Sequence, residues 1–268
     1  MFPRFTPIAL GLLRLFAAFM FFQMGAQKLF GLFGGEPVAP YTVMWAAGIA
    51  ELVGSVALAI GWLTRPFAAI LAVDMLAVYL FSHAGQGTFL PISRNRVTEE
   101  VFQLMAISAF LIFSGPEKFS AEGVINKGKK HPLSKYYPDA FAVFRIVMGL
   151  MFISHGLQKL FGLGGRAEQF LSFRWFGGVL EFGGGAAITL GLFTAPVAFI
   201  VCGEMAVAYF MSHGSREFWP ITNNGIRAVL FCYTFLFFFT AGAGKFSLDS
   251  ILRGKKKSRI ETREAVRV

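Results

Sequence analysis

Charge is scarce in this sequence. Only 15% of its 268 residues are Asp, Glu, Lys or Arg, against about 25% in soluble domains. Hydrophobic residues make up 55%, and the mean hydropathy is +0.60. That balance excludes a disordered chain and argues against a cytosolic enzyme. Cysteine is scarcer still, and two residues cannot staple a disulfide scaffold. Cys202 and Cys232 lie in long apolar runs and make no C-x-x-C, so they read as core residues and not as a redox pair or a zinc site. A phosphate-binding glycine loop, a dinucleotide fingerprint, a nucleophile elbow and an iron–sulfur cysteine set are all missing. Acids are outnumbered, 15 against 25 Lys and Arg, which leaves a net charge of +10. In a soluble chain that excess would suggest nucleic acid. In one this apolar it reports membrane orientation, so the expected partner is a lipid bilayer and no nucleic acid.

The sequence is built twice. Gln27-Lys28-Leu29-Phe30-Gly31 returns as Gln158-Lys159-Leu160-Phe161-Gly162, 131 residues later. At the same offset Arg14 matches Arg145 and Gly25 matches Gly156. Trp45, Gly48, Glu51 and Gly54 match Trp175, Gly178, Glu181 and Gly184. Tyr79, Ser82 and His83 match Tyr209, Ser212 and His213, and Lys118-Phe119-Ser120 matches Lys245-Phe246-Ser247. Ordered matches of this density indicate a tandem duplication. The expected division is a first unit over 1–122, a basic linker over 123–137, a second unit over 138–252 and a basic tail over 253–268.

Each half contains four apolar runs of nearly bilayer length, which takes roughly 17–25 helical residues. They cover about 8–30, 43–63, 66–82 and 98–115, then 140–162, 173–193, 195–213 and 226–243. The expected fold is therefore all-α and integral to the membrane: eight transmembrane helices in two parallel four-helix-bundle repeats. With eight spans, both termini and every even connection share one side, which holds fifteen Lys and Arg against six on the other. Positive charge collects in the cytoplasm, so both termini are expected there.

Four acids fall well inside these runs, away from their ends: Glu51, Asp74, Glu181 and Glu204. Each carboxylate at bilayer depth costs roughly 2.5–3.5 kcal/mol, so each must be paired, protonated or turned to a polar cavity. Structural pairing with a base is one reading and an ionisable lining for a ligand or proton site the other. Arg145, His155 and Lys159 fall on one face of a single helix and span about 21 Å along it. The first half repeats this ladder as Arg14 and Lys28 but has Met24 in place of the histidine. A proton-handling site is thus better equipped in the second half. Gly48 and Gly54 flank Glu51, and Gly178, Gly184 and Gly185 flank Glu181, as close helix packing requires. His83 and His213 read as interface residues beside Tyr79 and Tyr209, not as haem ligands, and no metal site is expected. Ser247 reads as the cap of a short helix whose Leu248, Ile251 and Leu252 form an apolar stripe.

The string His155-Gly156-Leu157-Gln158-Lys159-Leu160-Phe161-Gly162, followed by Glu181-Phe182-Gly183-Gly184 and by Gly244-Lys245-Phe246-Ser247-Leu248-Asp249, resembles the DoxX family. Members typically have one four-helix unit, so this chain resembles two of them fused. The first half departs at Met24, and the second lacks an acid like Glu99, which in the family usually follows the Asn-Gly pair. The resemblance implies a bacterial inner-membrane protein. Some members resemble a quinone-reducing subunit of thiosulfate oxidation and others are linked to redox stress complexes. The function this implies is a membrane subunit supporting quinone-linked sulfur or thiol redox chemistry, with no covalent cofactor and with a partner redox subunit. On this reading a quinone lies in a Phe-rich cavity, His155 and Glu181 exchange protons with its oxygens, and Arg145 or Lys159 stabilises its reduced form. The remaining candidate ligands are Glu204, Arg14, Lys28, Glu51 and Asp74. The alternative is a non-enzymatic scaffold or a small-solute carrier.

Overall fold

The computed structural model describes residues 2–82, 96–116, 119–126, 131–163 and 166–252. His83, Lys118, the basic run at 127–130 and the tail at 253–268 lie outside them. The described residues are helical and contain no strand. The first half supplies α1 (Thr6–Phe30), α2 (Val43–Ile60), α3 (Thr64–Ser82), α4 (Arg96–Ser114) and the short α5 (Ala121–Asn126). The second supplies α6 (Tyr137–Phe161), α7 (Phe173–Leu190), α8 (Thr194–Ser212) and α9 (Ile226–Ala241). The expected linker is not featureless, since it holds the end of α5 and a 3-10 turn at Pro132–Tyr136.

All eight apolar runs became helices, but only six of them are long and apolar enough to cross a bilayer: α1, α2, α3, α4, α6 and α8. The last helix, α9, is apolar but has 16 residues. In α7, Arg174, Glu181 and five glycines dilute an 18-residue helix. The glycines of α7 have another use. A Cβ added at Gly185 would come within 2.7 Å of the Ile153 backbone nitrogen and 2.8 Å of the Gly149 carbonyl oxygen on α6. In the first half a Cβ at Gly25 would meet the Leu52 nitrogen at 2.7 Å and the Gly48 oxygen at 2.8 Å. Backbone thus lies against backbone in both helix pairs, and only glycine fits there.

Within each half the first helix packs on the second and the third on the fourth. The halves meet through α1 on α9 and α4 on α6, while α4 also touches α9. These contacts exchange first and fourth helices, as an isologous, two-fold-like interface requires. The seam is filled with aromatic rings. Phe110 of α4 stacks on Phe144 of α6 with centroids 4.7 Å apart and meets Phe237 of α9 at 5.5 Å. Such pairs add roughly 0.5–1.5 kcal/mol each beyond the area they bury.

Helix ends repeat as faithfully as helices. Arg14 donates to the carbonyls of Leu58 and Ala59 at the end of α2. Arg145 donates to Ile188 and Thr189 at the end of α7, at 2.5 and 2.8 Å, and to Phe246 at 2.8 Å. These are the carbonyls a helix C-terminus leaves unpaired. The acids of the closing segments cap the next helix in the same way. Asp249 accepts from the Phe193 and Thr194 amides at 2.9 and 3.0 Å, and Glu122 accepts from the Thr64 amide at 3.2 Å. Ser247 is the expected cap, accepting from the Ser250 amide at 3.2 Å, and Leu248, Ile251 and Leu252 are exposed beyond it.

Candidate functional site

Two polar clusters lie in corresponding places. In the first half Lys28, near the end of α1, pairs with Glu51 of α2, and Asp74 of α3 lies beside both. In the second, Lys159 of α6 pairs with Glu181 of α7 at 2.6 Å. Glu204 of α8 approaches the same lysine over Gly177, whose Cβ would lie 3.3 Å from the Glu204 carboxylate and 3.6 Å from the Lys159 ammonium. The acids flanked by glycine are therefore met by lysine from the neighbouring helix. Arginine goes elsewhere: Arg14 and Arg145 sit at the far ends of α2 and α7, bonded to backbone. The basic ladder is split into capping guanidiniums and a carboxylate-bonded ammonium about 21 Å further along the helix.

The second cluster extends further along α6. His155 lies one turn before Lys159, on the same face of α6. Its Nε2 is 3.5 Å from the carboxylate of Glu99, which comes from α4 of the other half and is only 1% exposed. The same carboxylate takes Arg227 of α9 as a bonded partner and accepts from the Gln158 amide at 3.1 Å. Glu99 and Arg227 were not among the candidate site residues from sequence. Arg227 lies in the first turn of α9, half-buried against an acid. The signal was present, since Glu99 and Glu100 open an apolar run as further acids at the edge of the spans.

A cavity of about 150 Å³ opens beside these groups. His155, Lys159, Glu181 and Arg227 form its polar wall, while Phe152, Phe231 and Met205 form part of its apolar one. His213 and Asn224 also line it. His213 stacks beside Tyr209, as expected, and its Nδ1 lies 2.9 Å from the Asn223 carbonyl oxygen. Glu181 gives one oxygen to Lys159, and the other, though buried, has no hydrogen-bond partner. The wall therefore offers cationic donors and an unfilled acceptor side by side. A buried unsatisfied acceptor costs roughly 1–3 kcal/mol. Among the described residues no cluster of three or more His, Cys, Asp or Glu is placed to hold a metal.

The cysteines are free and pack against the core, as the sequence suggested. Reading them as core residues and not as a pair rested on the absence of a local motif. They come from α8 and α9, and their sulfurs are 3.7 Å apart. A C-x-x-C search misses contacts between helices 30 residues apart.

Comparison with known proteins agrees with the repeat. An uncharacterized protein of Haemophilus influenzae is 40% identical over 126 residues, covering 94% of that protein and 44% of this chain. The inner membrane protein YqjF of Escherichia coli is 29% identical over 126 residues, covering 92% of that protein and 42% of this chain. Each is thus about the size of one half. No solved structure matches. The DoxX family model matches residues 9–84 and again 140–214, which include both lysine–glutamate pairs, so the chain is a membrane protein of the DoxX family carrying that family's unit twice.

Proposed function

We propose that this protein binds a quinone in the cavity of its second half and supports quinone-linked sulfur or thiol redox chemistry in a bacterial inner membrane, as the membrane subunit of a redox pair. The observation that carries this reading is the composition of the cavity wall. A quinone ring presents carbonyl oxygens that need donors, and its reduced form presents hydroxyls that need acceptors. Lys159, Arg227 and His155 supply the first, and the free oxygen of Glu181 supplies the second. The volume of about 150 Å³ suits one six-membered ring, since an apolar cavity of that size holds benzene. Phe152 and Phe231 give the ring an apolar face.

In this arrangement His155 and Glu181 hold and pass protons at the ring oxygens, and Lys159 and Arg227 balance charge that develops there. Glu99, bonded to Arg227 and close to His155, positions both without reaching the cavity wall. Glu204 sets the charge around Lys159. Arg14 and Arg145 hold helix ends, and Lys28, Glu51 and Asp74 form the matching cluster of the first half. We further propose that all eight long helices span the membrane, with both termini cytoplasmic and units bounded at 1–122 and 138–252.

The test is direct binding of decylubiquinone to purified protein in lipid nanodiscs. Binding should be lost in His155→Ala and in Glu181→Gln. Unchanged binding in both variants would overturn the reading, and proton-coupled solute uptake without any quinone dependence would favour a carrier.

A further inference from the structure

The chain has two cysteines, and they touch. Cys202 lies on α8 and Cys232 on α9, with sulfurs 3.7 Å apart. A packed side chain touches roughly 6–12 others, so two cysteines placed at random among 268 positions would meet only about one time in thirty. The sulfurs need to close by about 1.7 Å to reach the S–S distance of about 2.0 Å, a shift within reach of side-chain rotation. Their place in the fold matters equally. Met205 follows Cys202 by three residues and Ala228 precedes Cys232 by four, and both Met205 and Ala228 line the cavity. Those spacings keep each cysteine on the cavity-lining face, one turn or about 4.5–6 Å further along the helix. The thiol pair therefore sits one helical turn from the proposed quinone.

We infer that Cys202 and Cys232 form a dithiol–disulfide redox site that delivers electrons to a quinone in the adjacent cavity. This rests on the quinone reading above and names the sulfur that reading requires. The step balances with no further reactant. Both S–H bonds break and one S–S bond forms, so the sulfurs lose two electrons. Those electrons and two protons convert a quinone to a quinol, and His155 and Glu181 lie where the protons must arrive. A second turnover requires a dithiol reductant, which reopens the S–S bond by thiol–disulfide exchange and is itself oxidised to a disulfide.

The full-length protein in nanodiscs, reduced and freed of reductant under argon, is treated in parallel with diamide and with decylubiquinone. Intact mass and maleimide labelling report the thiols, and absorbance reports the quinol. With either oxidant both thiols should disappear with loss of the mass of two hydrogens. With decylubiquinone one quinol should form per chain. Cys202→Ser and Cys232→Ser should each keep the remaining thiol and form no quinol, while still binding decylubiquinone. Both thiols remaining free after diamide would overturn the site. Disulfide formation with diamide but not with bound decylubiquinone would overturn the quinone as acceptor and leave the binding reading intact. Failure of decylubiquinone to bind any variant would remove the functional reading and the electron route with it.

Discussion

Glu99 of α4 in the first half and Arg227 of α9 in the second are bonded to each other. The offset of 127 that relates the helix ends Ser114 and Ala241, and Lys118 and Lys245, makes Arg227 the counterpart of Glu100, the neighbour of Glu99. The bond forms where two related helices, α4 and α9, approach the pseudo-two-fold axis. Like would face like there if the halves were identical, and two buried acids repel. An acid in one copy and a base in the other removes the conflict. The inequality of the halves at this position is thus a condition of their packing.

Removing either member of that pair takes away the other's bonded partner in the seam, leaving Arg227 only Glu100 at 3.9 Å when Glu99 is lost. Arg227→Met and Glu99→Leu should each destabilise the protein by roughly 3–5 kcal/mol, and the double variant by less than the sum, since no orphan charge remains. Arg227→Glu should be worse than Arg227→Met because it restores like against like. Chemical denaturation in detergent checks the order, and additive single effects would refute the coupling.

Close approach of α6 and α7 gives a matched test between two glycines on one helix. A Cβ at Gly185 meets backbone atoms at 2.7 and 2.8 Å, which cannot yield without moving a helix, whereas at Gly183 nothing lies within 4 Å. Gly185→Ala should cost roughly 1–3 kcal/mol. Gly183→Ala should be neutral, or stabilising by up to about 1 kcal/mol through helix propensity. Equal melting temperatures for the two variants would contradict the packing described.

Much of this fold was legible in the sequence because a membrane helix announces itself through composition. The runs at 43–63 and 173–193 each overshot by three residues, since Gly61 and Gly191 turn the chain at positive φ before the apolar residues end. The run at 140–162 began late because Tyr137-Pro138-Asp139 looks polar, although Pro suits the first turn and Asp139 reaches Lys245 at 2.6 Å. Pairing of Glu51 and Glu181 was legible as a need, but not its partner. Arginine is the obvious match by charge, yet Arg14 and Arg145 are spent on helix ends, a role that only the bend of the chain after α2 and α7 creates. Glu99 with Arg227 and Cys202 with Cys232 stayed hidden for one shared reason. Each is a contact between helices distant in sequence, and a repeat aligns equivalent residues without showing which of them touch.

Arg145 illustrates a role that charge alone does not define. Its guanidinium reaches three carbonyls on two segments, which an ammonium cannot copy. Arg145→Lys should therefore destabilise nearly as much as Arg145→Met, by about 1.5–3 kcal/mol or more. Decylubiquinone affinity of the folded fraction should not change, because the cavity lies at the other end of α6. A binding loss at unchanged stability would return Arg145 to the ligand site.

Asp249 should behave as a cap. It holds two amides at the start of α8, and Asp249→Ala should cost about 0.5–2 kcal/mol. Asp249→Asn should recover part of this, because a side-chain carbonyl still accepts one of the two amides. Hydrogen exchange at Phe193 and Thr194 locates the effect, and protection unchanged in Asp249→Ala would refute it.

The most discriminating comparison sets Lys159 against Lys28. Both pair with a buried glutamate, so Lys28→Met and Lys159→Met each strand a carboxylate and should lower stability alike. They differ in what else they meet: Lys159 lines the cavity with His155, whereas the first half has Met24 at the histidine position. Only Lys159→Met should weaken decylubiquinone binding, by about ten- to hundredfold, the equivalent of a charge-assisted hydrogen bond of roughly 1.5–3 kcal/mol. The shared destabilisation makes each variant the control for the other. Equal loss of binding in both would mean that packing, and not the second-half site, carries the ligand. Equal retention would remove the lysine from the site altogether.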